Sequence, residues 1–78
     1  MIIRPKCEAI VKARIVKGLS QRGLARESGL GNSYISQIER GLRNPGPKAA
    51  RKIADALERP FDELFELVAD DEPVRATA

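Results

Sequence analysis

The sequence predicts an all-α fold, a compact domain of five helices. Three observations predict it. Sustained alternation of apolar and polar residues, which would indicate strands, is missing, and the aromatic residues that favour strands number only three. Apolar residues instead recur at spacings of three and four. Glycine or proline separates the segments that carry them, and 78 residues suffice for one such domain.

The first two helices are predicted from the residues at their ends. Pro5 suits the first position of a helix, no breaker follows it, and Gly18 stops the segment. A second helix is expected over residues 21–28, because Ser20 is a good N-cap and Gly29 ends the segment.

The next two helices are predicted in the same way. A third helix over residues 32–40 begins after Gly31, which is an acceptable cap of second rank. It ends at Gly41, where we expect a left-handed residue. Pro47 then opens a fourth helix over residues 47–57, whose apolar residues recur at spacings of three and four.

A fifth, short helix is expected over residues 61–68. Asp62 and Glu63 lie in its first turn, where negative charge suits the helix dipole. Residues 69–78 show no apolar period. We therefore expect a domain of residues 1–68 followed by an acidic, flexible C-terminal tail of residues 69–78.

A sharp chain reversal is expected between the second and third helices. Gly29 can adopt a positive φ without a Cβ clash, and Ala25 is small enough for the two helices to cross closely. Apolar residues would fix both helices to the core, namely Leu24, Leu30, Ile35 and Ile38.

The composition argues against several classes of protein. One cysteine permits no intrachain disulfide, and without histidine no zinc-ligand spacing exists, so we expect a cytoplasmic protein with no metal and no cofactor. No apolar run approaches the roughly 18 residues needed to span a bilayer. Cys7 lacks an evident activating base, and no phosphate-binding loop is present, so we expect no enzymatic activity and no catalytic residue.

The charges divide into a basic body and an acidic end. Residues 1–60 carry 13 lysines and arginines and 5 acidic residues, a net charge of +8. Residues 61–78 carry 1 basic residue and 6 acidic residues, a net charge of −5. A basic body indicates a polyanionic partner. The alternative is an ordinary solvated surface.

The third helix has an outward face suited to a DNA groove. Ile35 and Ile38 define its buried direction, and the opposite side carries polar residues without long acidic side chains, namely Ser33, Ser36, Gln37 and Arg40. Such a face fits the major groove, where base edges offer hydrogen-bond donors and acceptors. The alternative is a solvated helix face without a partner.

Five blocks of sequence carry a family resemblance: KGLSQ at 17–21, LA at 24–25, SG at 28–29, SYISQIERG at 33–41 and RNP at 43–45. Through them, residues 8–65 resemble the Cro and lambda-repressor-like family, also called XRE. The resemblance implies a lambda-repressor-like five-helix fold with a helix-turn-helix at helices 2 and 3. It also implies a sequence-specific DNA-binding transcriptional regulator, a repressor that binds a two-fold operator as a dimer through the major groove.

Carried over residue by residue, the resemblance implies base reading by Asn32, Ser33, Ser36 and Gln37. Gln37 is the favoured base reader, since glutamine can pair bidentately with adenine. Phosphate contacts are implied for Gln21, Tyr34, Arg40 and Arg43. Gln21 could instead be exposed without a role, and the ring of Tyr34 could pad the core.

The resemblance also assigns structural residues and exposes departures. Ala25, Gly29 and Gly41 would shape the turn, and Arg14 and Glu39 match a pair that forms a salt bridge in relatives. Where the family usually has acidic residues, this chain has Arg22 and Gly23. We expect Arg22 to contact phosphate. Gly31 replaces the usual hydroxyl cap, and Glu58 stands where relatives often place a glycine.

The expected partner is double-stranded DNA, bound by a homodimer that forms at least on DNA. An apolar stripe on the last helix would close the core and could contribute Phe65, Leu67 or Val68 to the dimer. A regulatory protein could bind the acidic tail, and no membrane partner is expected. Two alternatives share the fold: an antitoxin of a toxin-antitoxin pair, and a protein-interaction module without DNA.

Overall fold

The computed structural model describes residues 1–69, and within them the predicted fold of five helices is confirmed. The elements are β1 (Ile2–Pro5), α1 (Cys7–Val16), α2 (Gln21–Ser28), α3 (Asn32–Glu39), α4 (Pro47–Leu57), α5 (Phe61–Leu64) and β2 (Phe65–Val68). No helix in this part of the chain is long and apolar enough to cross a membrane. The predicted flexible tail, residues 69–78, lies outside the described residues except for Ala69.

The core is one apolar cluster to which every helix contributes. Its members are less than one tenth exposed, and they are Ile3, Ile10, Leu24, Ala25, Ile35, Ile38, Ala50, Ile53, Ala54, Leu57, Leu64 and Phe65. α2 packs on both α3 and α4, while α1 packs on α3 and α5. Because α2 and α3 both contact other helices, the angle between them is fixed from both sides.

Four helices end in the same way. Beyond the end of α3, Gly41 N–H donates to Ile38 O at 3.1 Å and Leu42 N–H donates to Gln37 O at 2.9 Å. The same pair of bonds closes α1, α2 and α4. The left-handed residue that makes this closure possible is a glycine in the first three helices, whereas in α4 it is Glu58, with φ of 56°.

The prediction that the domain contains no strand is wrong. β1 and β2 form an antiparallel two-stranded sheet in which Ile2 is opposite Val68 and Pro5 is opposite Phe65. Each strand has only four residues, which is too short for alternation to be recognised, and the strands come from opposite ends of the domain. No local turn signal therefore announces the pairing.

The same sheet corrects two helix boundaries. α1 begins at Cys7 rather than at Pro5, because Pro5 lies buried in β1 and Lys6 N–H donates to Leu64 O at 2.8 Å. The fifth helix ends at Leu64 rather than at residue 68, since Phe65 is extended, with φ of −138° and ψ of 159°. The apolar spacing fits both a helix and a helix that turns into a strand, and the pairing with β1 decides between them.

The predicted apolar stripe on the last helix is consequently divided. Leu64 and Phe65 are buried in the core, and the rings of Phe61 and Phe65 lie 5.1 Å apart. Leu67 lies on β2 and is 56% exposed. Of the residues considered for a dimer interface, Phe65 therefore belongs to the core of its own domain.

We predict that Glu58→Gly stabilises the domain. A residue with a Cβ is strained in the left-handed region, whereas glycine is not. The ion pair that is lost, Lys17 Nζ to Glu58 Oε1 at 3.3 Å, involves a glutamate side chain that is 76% exposed, so its contribution is small. Urea denaturation should show that the free energy of unfolding rises by about 0.5–1 kcal/mol.

Glu58→Ala is the matched control, since it removes the same ion pair and keeps a Cβ at position 58. We expect no gain in stability for this variant. Equal unfolding free energies for the glycine and alanine variants would contradict the assignment of strain to this residue.

Candidate nucleic-acid interface

The corner between α2 and α3 depends on one left-handed residue. Gly29 has φ of 76°, and a Cβ placed on it would meet no atom within 4 Å. The requirement for glycine is thus conformational and does not arise from crowding. Beyond the corner, Ala25 of α2 and Ile35 of α3 are both buried, so the two short helices meet through their apolar sides.

The N-terminus of α2 explains a second glycine. Ser20 Oγ accepts a hydrogen bond from Gly23 N–H at 2.9 Å and caps the helix. A Cβ on Gly23 would lie 3.3 Å from Ser20 Oγ and 3.4 Å from Leu19 Cδ2, which is tighter than most Cβ contacts. Gly23 therefore leaves room for the cap, a role that sequence analysis did not identify.

The outer side of α3 is the polar surface that the sequence predicts. Asn32, Ser33 and Arg40 are exposed, and Ser36 and Gln37 are half-buried. α3 has no side-chain N-cap, because Gly31 precedes it, and its first turn carries no acidic residue. The amide groups at the start of the helix therefore face a position where an anion is favoured.

A cluster of three side chains lies at the C-terminal end of this surface. Arg43 Nε donates to Gln37 Oε1 at 2.7 Å. The guanidinium carbon of Arg43 also lies 4.8 Å from the centre of the Tyr34 ring. The resemblance assigns all three residues to DNA contacts, but the sequence does not indicate their contacts with one another, because Arg43 follows the helix in a loop.

Glu39 is the acidic residue of α3, and the structure removes it from the outer surface. Its side chain is 4% exposed and accepts from Arg14 Nε at 2.6 Å. Arg14 Nη2 also donates to Glu39 Oε1 at 3.2 Å, and Gln21 Nε2 donates to the same oxygen at 3.0 Å. Three helices therefore meet at one carboxylate, and its charge is neutralised inside the domain.

Arg22 occupies the start of α2, whose first turn carries no acidic residue. Its side chain is exposed, and it forms no hydrogen bond or ion pair within residues 1–69. With Arg40 and Arg43, which are also exposed, it places positive charge around α3. Long-range attraction of a polyanion is the chemistry that such a surface supports.

Metal ligands and buried polar groups were the remaining candidates for a chemical site within residues 1–69. Among residues 1–69, no group of three or more histidine, cysteine, aspartate or glutamate side chains could hold a metal ion. Every buried side-chain nitrogen or oxygen in this part of the chain has a hydrogen-bond partner.

Residues 10–64 match the family model described as helix-turn-helix. Among curated proteins, the chain is 45% identical over 47 residues to the uncharacterized HTH-type transcriptional regulator Rv0474 of Mycobacterium tuberculosis, covering 60% of this chain and 34% of that protein. It is 45% identical over 51 residues to the HTH-type transcriptional regulator SlrR of Bacillus subtilis, covering 64% of this chain and 34% of that protein. The chain thus spans about a third of the length of these relatives.

A solved structure is similar over much more of its own length. The restriction-modification controller protein C.AhdI from Aeromonas hydrophila superposes with a TM-score of 0.70 at 40% sequence identity, covering 73% of this chain and 86% of that chain. The relatives named here are regulators or controllers rather than enzymes, in agreement with the predicted absence of catalysis.

We predict that the Arg14–Glu39 pair is needed for stability. Arg14→Leu leaves a buried carboxylate without its cation, so the free energy of unfolding should fall by about 3 kcal/mol. The double variant Arg14→Leu/Glu39→Leu removes both charges and should lose less than Arg14→Leu alone. Urea denaturation of four proteins completes a double-mutant cycle: the unsubstituted chain, Arg14→Leu, Glu39→Leu and the double variant. Additive losses would contradict a direct pair.

Proposed function

The chain belongs to the helix-turn-helix family of XRE type, and on that premise we propose that it is a cytoplasmic, sequence-specific DNA-binding regulator of transcription. It acts by occupying a promoter and excluding the transcription machinery, which makes it a repressor. The DNA-binding unit is residues 1–68, since β2 ends at Val68. In this proposal, the acidic sequence of residues 69–78 is the segment that a regulatory protein would bind.

One observation carries this proposal: α3 combines a polar outer surface with an inner surface locked to the core. Ile35 and Ile38 are 1% exposed or less, so the helix cannot rotate without unpacking the domain. Glu39 is paired internally, and therefore no carboxylate of α3 opposes a phosphate. Major-groove readers of this kind present polar side chains outward from a helix that the rest of the domain holds in place.

In this proposal the side chains divide into two groups. The base-reading residues are Asn32, Ser33, Ser36 and Gln37. The residues that contact phosphate are Gln21, Arg22, Tyr34, Arg40 and Arg43. Gln21 already donates one hydrogen bond to Glu39 from its amide nitrogen, which leaves its second N–H for a phosphate oxygen and couples that contact to α3.

The proposed complex is a homodimer on a two-fold site. One short recognition helix contacts too few base pairs for a unique address, so two copies read half-sites about 34 Å apart. Leu67 is the apolar side chain of β2 that the domain leaves exposed, and we place it in the dimer interface. Phe65 supports the interface from inside the core.

The likeness to C.AhdI favours one more specific role. The chain covers 86% of that controller at 40% identity, far more than it covers of the longer regulators. Control of a restriction-modification system is therefore the second candidate. An antitoxin and a DNA-independent interaction module gain no such support, and the experiment below separates them.

We expect selection from random duplex DNA to enrich a two-fold sequence. Affinity for the selected duplex should then fall steeply with salt concentration, because phosphate contacts release counterions. Arg22→Ala should lower the affinity and flatten the slope of log Kd against log salt concentration by about two units, because each subunit of the proposed dimer loses one phosphate contact. Fluorescence anisotropy at several salt concentrations gives both quantities.

Lys12→Ala is the matched control, because it removes the same charge from an exposed position on α1, a helix to which the proposal assigns no DNA contact. We expect its effect to be much smaller than that of Arg22→Ala. A protein-interaction module would yield no enriched sequence, and an antitoxin would yield one and would also copurify with a small partner protein.

We predict that Leu67→Glu weakens dimerisation without unfolding the domain. Leu67 is 56% exposed, so the charge costs the folded monomer little, whereas an interface would have to bury it. Sedimentation equilibrium should show a shift toward monomer, and the apparent Kd for a two-fold duplex should rise by about tenfold or more. Glu66→Gln on the same strand should leave both unchanged, and equal behaviour of the two variants would remove Leu67 from the interface.

A further inference from the structure

We propose that Arg43 is a positioning residue for Gln37: it orients the amide of Gln37 so that α3 presents hydrogen-bond donors, which favours guanine over adenine at the base pair that Gln37 reads. This inference rests on the proposed DNA-binding function. It concerns sequence preference, which neither the fold nor the charge of the surface determines.

The closure of α3 brings Arg43 back to Gln37. Gly41 has φ of 73°, and Leu42 N–H donates to the main-chain oxygen of Gln37 at 2.9 Å. The chain therefore turns at the end of the helix instead of continuing along its axis. Arg43 is the next residue, so the closure places its side chain beside the last turns of α3.

Two contacts then hold the guanidinium group of Arg43. Its Nε donates to Gln37 Oε1 at 2.7 Å, and its central carbon lies 4.8 Å from the centre of the Tyr34 ring. Tyr34 precedes Gln37 by three residues, and side chains at that spacing lie next to each other on a helix. Tyr34 is half-buried, and its ring therefore gives Arg43 a fixed support.

The orientation of the Gln37 amide follows from these contacts. A glutamine side chain offers one carbonyl oxygen and one NH2 group at the two ends of a planar amide. The oxygen is directed at Arg43, so the NH2 group is directed away from it. Among residues 1–69, no hydrogen bond engages that NH2 group. The free end of Gln37 is thus a donor.

This orientation distinguishes between the purines. Adenine presents N7 as an acceptor and N6 as a donor, and a glutamine that pairs with it must direct both amide ends at the base. Guanine presents two acceptors, N7 and O6. The guanidinium of Arg43 beside the amide oxygen also adds positive charge, which repels the adenine amino group and attracts the oxygen and nitrogen of guanine.

The test begins with the sequence that the unsubstituted chain selects from random duplex DNA. Repeating the selection with Gln37→Ala identifies the base pair whose preference depends on Gln37. Four duplexes that differ only at this base pair in both half-sites are then measured by anisotropy. We expect the unsubstituted chain to favour guanine over adenine by about tenfold, within the range of a good base contact.

Arg43→Ala should reduce this guanine-to-adenine ratio to about one or below, because the amide becomes free to turn its oxygen toward adenine. In a Gln37→Ala background, the same substitution should leave the ratio unchanged, since Arg43 acts through Gln37. Arg40→Ala is the matched control: Arg40 is exposed, follows α3 directly and makes no hydrogen bond to Gln37 among the described residues. It should weaken all four duplexes alike.

Tyr34→Phe and Tyr34→Leu test the support of Arg43. The phenylalanine variant keeps the ring and should keep the ratio, whereas the leucine variant should lower it. Thermal unfolding followed by circular dichroism shows whether each variant remains folded at the assay temperature.

Three outcomes would overturn the inference. An unchanged ratio in Arg43→Ala shows that Arg43 does not orient Gln37. A changed ratio in the Gln37→Ala background shows that Arg43 reads the base itself. A selection in which Gln37→Ala alters no position shows that Gln37 reads no base. In all three cases a selected sequence exists, so the proposed function stands, whereas failure to select any sequence would contradict both.

Discussion

The arrangement of the first three helices depends on the carboxylate of Glu39. It is almost fully buried, and it accepts hydrogen bonds from Arg14 of α1 and Gln21 of α2 while it belongs to α3 itself. Arg14 also donates to Leu19 O at 2.9 Å and thereby holds the connection between α1 and α2. Apolar packing alone permits some sliding between helices, whereas a charged group with directional bonds permits one arrangement.

The same constraint sets what the outer surface of α3 can be. A short helix must use one side for packing, and Ile35 and Ile38 provide it. The single carboxylate of α3, on Glu39, is paired inside the domain. The opposite side of the helix therefore carries only polar side chains, and arginines surround it. The pairing of Arg14 with Glu39 therefore both holds the helices together and removes negative charge from the outer surface of α3. Arg22 and Arg40 form no side-chain hydrogen bond or ion pair within residues 1–69, so their charges remain available for binding.

The sequence was sufficient wherever a local signal determines the structure. Ser20 caps the start of α2, Gly29 caps its end, and Pro47 opens α4, as their residue types predict. The β1–β2 sheet could not be predicted, because Pro5 and Phe65 pair across almost the whole chain and neither strand has a local signature. The contacts of Arg43 with Gln37 and Tyr34 could not be predicted for a related reason. They join a loop to a helix, and the path of the turn between them does not follow from the sequence. The role of Gly23 could not be predicted either, because the crowding between position 23 and the Ser20 cap arises only in the folded helix.

The two-stranded sheet has a mechanical consequence. Ile2 is opposite Val68 at the open end, and Pro5 is opposite Phe65 beside the core, so a force applied at the two termini would break the ladder one pair at a time. Such peeling requires far less force than sliding two strands past each other, because only one rung carries the load at any moment. Tension transmitted from segments fused to both ends would therefore open the Ile2–Val68 pair first and reach the core at the next pair, where Ile3 is buried.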